Sequence, residues 1–242
     1  MAHALRNLTA IVTGAGSGIG AAVARALAAE GARCVLAGRR LAPLQTMAAR
    51  LEAEGGNARA VVADVMDEGQ VEALIATTVT VFGGVDIVVN NAGLLKQASV
   101  TETSLALWDE MLNVNLRGAF LLCRAAWPHL RRSRGQIVNL SSMAAVQGYP
   151  DEVAYCASKH GLNGLTAALA VEGKPYGIRV FAICPAATDT PLWEGQAPDG
   201  VRQRMMKPKP IGLLVSSLLA APRSLDFGPL IIRNFDDPWV AA

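Results

Sequence analysis

Charge is scarce in this chain. Asp, Glu, Lys and Arg make up 17% of its 242 residues, against about 25% in ordinary globular domains. The hydrophobic share of 52% excludes a disordered or solvating polypeptide and implies a large core. The two signs nearly cancel at a net +2, and both are scattered, so the electrostatic footprint of a nucleic-acid binder is missing. The one basic cluster, Arg131, Arg132 and Arg134, closes a helical pattern, where cations complement the macrodipole. Four cysteines (Cys34, Cys123, Cys156, Cys184) and three histidines (His3, His129, His160) show neither a CxxC pair nor any ligand spacing. They read as reduced core thiols with no metal site. The most apolar late stretch, Ile211 to Ala221, contains Ser216 and Ser217 and falls short of the roughly 20 residues that span a bilayer. Residues Met1 to Asn7 lack a basic region followed by an apolar run, so no signal peptide is expected. These absences point to a cytoplasmic protein with no membrane and no nucleic-acid partner.

Seven short apolar or β-branched runs read as strands: Thr9–Thr13, Arg33–Ala37, Arg59–Ala63, Val85–Val89, Gln136–Leu140, Ile178–Ile183 and Pro229–Arg233. Helical spacing fills the gaps at about 18–30, 41–54, 68–82, 103–132, 152–173 and 210–221, the last stopped by Pro222. Continuous apolar strands, each followed by a helix, require right-handed crossovers and a parallel sheet covered on both faces. The expected fold class is therefore α/β, a Rossmann-like, doubly wound, seven-stranded parallel sheet. No linker, repeat or low-complexity tract interrupts the alternation, so the whole span 1–242 reads as a single domain. Only between Thr188 and Pro210 does the rhythm lapse, into a stretch long enough to be a substrate lid, about 188–210.

Thr13-Gly14-Ala15-Gly16-Ser17-Gly18-Ile19-Gly20 follows the first strand and opens the first helix. That context turns a glycine run into a dinucleotide-binding signal: small residues let the backbone approach a pyrophosphate, which then meets free amides and the positive end of the helix dipole. An acid that would bind the ribose 2′-hydroxyl should end the second strand. From Gly31 through Leu51 there is none, and the strand ends in Gly38-Arg39-Arg40. A guanidinium at Arg39 suits a 2′-phosphate, which favours NADP (NADPH) over NAD, unless Arg39 and Arg40 merely begin a surface helix. Asp64, ending the third strand, stands where an adenine amino group could bind; an N-cap role for Asp64 or Asp67 competes with that reading.

Tyr155-Cys-Ala-Ser-Lys159 lies within the 152–173 helical pattern. Four residues apart, the two side chains share a face. A phenol ionises near pH 10, and a neighbouring ammonium favours the phenolate, so the pair is a candidate general acid/base.

In order along the chain stand Thr13-Gly-x-x-x-Gly18-x-Gly20, Asn90-Asn91-Ala92-Gly93 after the fourth strand, Asn113-Val-Asn115, Ser142 thirteen residues before Tyr155, Tyr155-x-x-x-Lys159 and a Pro-containing turn after the sixth strand. Taken together, these motifs make residues 5–233 resemble the short-chain dehydrogenase/reductase family. The resemblance implies an oxidoreductase moving hydride between nicotinamide and a ketone, aldehyde or secondary alcohol, with catalytic Asn115, Ser142, Tyr155 and Lys159. Tyr155 would exchange a proton with the substrate oxygen and Ser142 would hold that oxygen. Lys159 would lower the tyrosine pKa and bind the nicotinamide ribose, and Asn115 would anchor a water between Lys159 and solvent. The implied cofactor contacts are Gly14, Gly16, Ser17, Gly18, Ile19, Arg39, Asp64, Val65, Asn91, Ala92, Gly93, Tyr155, Lys159, Pro185, Thr188 and Thr190, while Asn90 would lock the sheet beneath them. Ala186 departs from the usual glycine and could shift its turn if φ there were positive. Lys207-Pro-Lys-Pro-Ile-Gly212 and Phe227-Gly-Pro-Leu-Ile-Ile-Arg233 depart as well, which weakens any transfer of substrate identity.

Leu94, Leu95, Met143, Ala144, Gln147, Tyr149, Leu192, Trp193, Met205 and Met206 are candidate pocket residues and suggest a small to medium, largely apolar carbonyl or alcohol. The resemblance also implies a homodimer or homotetramer built on helices 103–132 and 152–173. Rival readings are an NAD(H)-dependent alcohol dehydrogenase of the same kind, a dehydratase or epimerase that keeps its nucleotide bound, and a non-catalytic nucleotide-sensing interaction protein.

Overall fold

The strand-forming runs pair into one sheet in the computed structural model, which describes residues 4–235; the ends of the 1–242 span, His3 among them, lie outside the described residues. The strands are β1 (Thr9–Thr13), β2 (Arg33–Gly38), β3 (Asn57–Val62), β4 (Ile87–Asn90), β5 (Gln136–Leu140), β6 (Arg179–Pro185) and β7 (Leu230–Ile232). Their order is β3-β2-β1-β4-β5-β6-β7, and every neighbouring pair runs parallel. Residues of β1, β4, β5 and β6 are buried from end to end, as strands covered on both faces must be.

Helices α1 (Gly18–Ala29), α2 (Leu41–Ala53), α3 (Glu68–Phe82), α4 (Leu105–Leu112), α5 (Gly118–Ser133), α6 (Val153–Gly173), α7 (Asp199–Arg202) and α8 (Pro208–Ala220) supply the cover. The alternation of a strand divides the core between two layers. Ala10 and Val12 of β1 join a cluster with Val23 and Leu27 of α1, Leu44 of α2 and Val215 of α8. Ile11, one residue out of phase, joins Leu74 of α3 and Leu122 of α5 on the other face. The doubly wound, Rossmann-like sheet read from the sequence is the observed fold.

Several local expectations need correction. The helical stretch expected at 103–132 is not one α-helix: α4 and α5 are separated by a π turn at Asn113–Arg117, an extra residue that apolar periodicity does not reveal. Asp67, not Asp64, caps α3, its Oδ1 accepting the Gln70 amide at 3.0 Å. Asp64 turns one oxygen back onto the Met66 amide at 3.0 Å. Cys34, Cys123 and Cys184 are buried, but Cys156 is half-exposed rather than a core thiol. Arg131 and Arg132 do sit in the last turn of α5, with Arg131 stacked 3.9 Å from the Tyr176 ring.

A buried cation secures the carboxyl end of α8. Pro222 stops that helix and leaves carbonyls without intrahelical partners. The Arg179 guanidinium on β6 takes them up, donating to Leu218 at 2.9 Å and to Pro222 at 3.0 Å, and pairs with Gln136 of β5 at 2.6 Å. Among the described residues no helix is long and apolar enough to cross a membrane.

Candidate active site

Strand order reverses between β1 and β4, and a parallel sheet opens a crevice at such a point beyond its carboxyl ends. The loops leaving these two strands are stitched together by Thr13. Its Oγ1 accepts the amides of Asn91 and Ala92, both at 3.0 Å, and donates to the Val89 carbonyl at 3.3 Å. Asn91 returns the contact, donating from Nδ2 to the Thr13 carbonyl at 2.8 Å.

Glycine is a steric requirement in this corner. Gly14 and Gly18 have φ of +66° and +55°, where a side chain is strained. A Cβ on Gly16 would lie 2.9 Å from Cβ of Pro43, and one on Gly20 would lie 2.4 Å from Asn91 Nδ2 and 2.5 Å from the Gly14 carbonyl. Ser17, at the N-cap of α1, makes no side-chain cap bond, and no acid stands in the first turn. The amides and dipole of α1 therefore face the crevice uncompensated, a setting suited to phosphate.

The crevice is a cleft of about 690 Å³. Gly14, Gly16, Ser17, Gly18 and Ile19 form one wall, and Arg39 and Arg40 lie beyond them at the end of β2. Asp64 and Val65 line the floor beside Asn91, Ala92 and Gly93. Tyr155 and Lys159 close the far end, and Thr190 lines the cleft beside Gly18, where a Cβ on the glycine would meet Thr190 Cγ2 at 3.0 Å. Pro185 and Thr188 do not line the cleft; Thr188 is buried and its hydroxyl donates to the Ala186 carbonyl at 3.0 Å. Ala186 does not adopt the positive φ that would strain its turn: positive φ outside glycine is confined to Asn7, Arg134 and Asp151 among the described residues. Ala186 is therefore unstrained.

Helix α6 carries the titratable pair to the cleft. Tyr155 is buried, and burial pushes its phenol above the ordinary value; only a hydrogen bond from Ser142 pulls it down. The expected lowering by Lys159 does not prevail, because the ammonium stands 5.7 Å from the ring centre and is itself buried. Burial lowers Lys159 to about 8, and Nζ donates to the Leu140 carbonyl at 2.8 Å. Ser142 follows β5 and also accepts the Ala144 amide at 3.1 Å.

Asn115 is buried inside the π turn and does not itself line the cleft. Its Oδ1 accepts the Leu94 amide at 2.7 Å, while Nδ2 donates to the Leu94 carbonyl at 2.9 Å and to Ser158 Oγ at 3.0 Å. The side chain thus fastens the loop after β4 to α6. Deeper in the sheet, Asn90 donates to Asn139 Oδ1 at 2.8 Å and Asn139 to Thr166 Oγ1 at 2.7 Å, a closed polar chain under the cleft.

On the substrate side, Leu95, Met111, Ala144, Ala154 and Tyr155 form a cluster against which Leu94, Trp108, Leu192 and Trp193 pack. Met143 and Met205 are buried, Met206 packs against the main core, and Gln147 and Tyr149 stand exposed. Residues that motif reading missed include Leu140 and Ser141, which line the cleft, and Gln196, which reaches it from the 188–210 stretch. The buried Glu152, one turn before Tyr155, was missed as well. Its spacing from the tyrosine is the one signal that could have found it.

A family model described as short chain dehydrogenase matches residues 8–200. The chain belongs to the short-chain dehydrogenase/reductase family. Among its relatives, the 3beta-hydroxysteroid dehydrogenase of Mediterraneibacter gnavus is 41% identical over 196 residues, covering 81% of this chain and 71% of that protein. The D-threitol dehydrogenase of Mycolicibacterium smegmatis is 40% identical over 204 residues, covering 82% and 78%. An alcohol dehydrogenase from the archaeon Thermococcus sibiricus, solved in complex with 5-hydroxy-NADP, superposes with a TM-score of 0.89 at 29% identity, covering 95% of this chain and 97% of that one. As a short-chain dehydrogenase/reductase the protein is an oxidoreductase, of a family that binds NAD(P).

Proposed function

We propose that this short-chain dehydrogenase/reductase is an NADP(H)-dependent enzyme that interconverts a ketone or aldehyde and the corresponding secondary or primary alcohol. One juxtaposition carries the reading: Tyr155, whose phenol Ser142 hydrogen-bonds, and Lys159 close one end of a cleft that Arg39 and Arg40 also line, and the close of β2 itself carries no acid. The glycine corner fits a dinucleotide, since added side chains at Gly16 and Gly20 would fill it. The uncapped α1 terminus would meet the pyrophosphate, and Arg39 the 2′-phosphate. When bound, the nicotinamide supplies or accepts the hydride. Arg40 borders the same cleft and is exposed beside Arg39.

The protein's own groups handle the proton. In the direction of reduction, Tyr155 Oη donates to the carbonyl oxygen as that oxygen gains charge, and Ser142 Oγ holds the same oxygen in a reactive geometry. Burial keeps the phenol protonated until the substrate oxygen demands the proton. Lys159, whose ammonium is lowered to about 8, stabilises the phenolate left behind and is the next proton source. Asn115 positions this end by holding Leu94 to α6. The 188–210 stretch is the lid. Two copies or four assemble through α4, α5 and α6, where Leu105, Phe120 and Val171 expose large apolar surface.

Nicotinamide fluorescence during titration with NADPH and NADH tests the cofactor. A preference for NADPH of tenfold or more, about 1.4 kcal/mol, that vanishes in Arg39→Ala is expected; equal or tighter NADH binding refutes it. Tyr155→Phe should abolish turnover while sparing NADPH binding, and normal turnover in that variant would sink the mechanism.

A further inference from the structure

The loop after β4 and helix α4 each bring one charge to the wall of the cleft. Lys96 and Glu110 both line it, and Lys96 Nζ donates to Glu110 Oε2 at 2.7 Å. The pair stands beside the reacting end. Its chain neighbours Leu95 and Met111 are buried in one cluster with Tyr155. Gly93, three residues before Lys96, lies so near Lys159 that a Cβ built on it would be 3.9 Å from Nζ. Val114, four residues after Glu110, lines the cleft as well.

An ion pair whose side chains are 50% and 38% exposed adds little to stability, so the fold has little need of it. It retains bonding capacity that its polar neighbour lacks. Gln196 gives its Nε2 hydrogens to the Leu95 and Leu192 carbonyls, at 3.1 and 2.7 Å, and its Oε1 accepts the Gln97 amide. Lys96 keeps two of its three protons, and Glu110 keeps its second oxygen. Glu194, exposed and lining the same cleft, adds another carboxylate.

These charges decide what can dock. An anion drawn to Lys96 meets the Glu110 carboxylate beside it, and an ammonium drawn to Glu110 meets Lys96. A neutral hydroxyl meets neither penalty: it accepts from the ammonium and donates to the carboxylate, and two adjacent hydroxyls match the pair as a unit.

We propose that the Lys96–Glu110 pair is a specificity determinant that binds hydroxyl groups of the substrate away from the reacting carbon. The substrate class is then a polyol or, in the direction of reduction, the corresponding polyhydroxy ketone or aldehyde, in place of the largely apolar one that the pocket residues suggest. Leu94 and Leu192, which line the same cleft, supply an apolar wall for its carbon chain. Hydride still passes between the substrate carbon and nicotinamide, so the inference rests on the reading above.

Oxidation by NADP+ of the pentitols (ribitol, xylitol, D- and L-arabinitol) and of both enantiomers of 2-pentanol, equal in chain length, tests it. In wild type the best pentitol should exceed the better 2-pentanol at least tenfold in kcat/KM. Lys96→Met and Glu110→Leu should each shrink that ratio at least fivefold through the pentitol KM, while Glu110→Gln, which still accepts a hydrogen bond, should keep part of it. Parallel losses on pentitol and 2-pentanol in both variants would leave the pair only holding the loop to α4 and overturn the proposal. So would a wild type that prefers 2-pentanol, or one that binds NADP+ yet oxidises no pentitol. Faster oxidation of 3-hydroxybutanoate or 1-amino-2-propanol than of every pentitol would overturn the choice of a neutral partner. Failure to bind NADP+ or NADPH would instead refute the NADP(H) reading beneath it, and the same ratios are then read with NAD+.

Discussion

The Lys159 ammonium donates to the Leu140 carbonyl at 2.8 Å from a position that is 4% exposed. One carbonyl does not replace the water that a buried ammonium gives up, which is why burial lowers Lys159 from 10.5 to about 8. The sign of the stability effect follows from proton counts. Between about 8 and 10.5 the unfolded chain keeps the lysine proton that the native state has shed, so native stability rises with pH across that window.

Lys159→Met should expose this directly. Comparing urea unfolding of wild type and variant from pH 7 to pH 10.5, the wild type should gain on the variant by on the order of 3 kcal/mol. The thiols of Cys34 and Cys123, which burial raises to about 12, lower stability above pH 9 in both proteins and cancel in the difference. A difference that stays flat would mean the ammonium is solvated in the fold.

Gly20 cannot accept a side chain without a backbone shift, since the Gly14 carbonyl stands 2.5 Å from where its Cβ would be. Backbone cannot yield as a flexible side chain does, so Gly20→Ala should push the Thr13–Gly14 loop away from Asn91. We expect a loss of about 1–3 kcal/mol in thermal unfolding together with at least tenfold weaker NADPH binding. Gly84→Ala serves as the control: nothing lies within 4 Å of that site and its φ is not positive. Its stability should be unchanged or higher by up to about 1 kcal/mol. Equal behaviour of the two variants would contradict the packing argument.

Gln196 clasps the 188–210 stretch to the loop after β4, donating to Leu95 and Leu192 and accepting from Gln97. Gln196→Ala removes all three bonds while leaving the glycine corner untouched. Amide hydrogen exchange at Gln97 should accelerate and limited proteolysis within 194–204 should become faster, with thermal unfolding shifted by less than 3 °C. Unaltered exchange at Gln97 would show that this stretch is held elsewhere, for example by Asp189, whose carboxylate pairs with Arg202 at 2.9 Å and Lys207 at 3.0 Å.

Patterns of short range were legible in the sequence. Apolar runs of five or six residues found β1, β2 and β5, and a glycine run directly after a strand located the cleft wall that Gly14, Gly16 and Gly18 now form. What escaped were relationships whose partners are far apart in the chain. Gln97 and Gln196 meet across 99 residues, and Glu152 is read as an ordinary charged residue until burial and Gln97 are seen together. The balance of forces on Tyr155 was hidden for the same reason: spacing placed Lys159 beside it, but only the fold shows that burial is the largest influence on the phenol.

The π turn at Asn113–Arg117 means that this stretch of helix carries one residue more than its length requires. A helix advances about 100° per residue, so α4 and α5 are out of phase with each other by roughly that angle. The apolar residues of α4 can therefore turn toward α6 while those of α5 turn toward α3, and Asn115 is delivered at the seam. Removing a single residue from the seam would straighten the helix into regular α geometry and rotate one flank away from its partner. The surplus residue acts as a fixed crank between two packing surfaces, and the length of this loopless segment is consequently as tightly constrained as its composition.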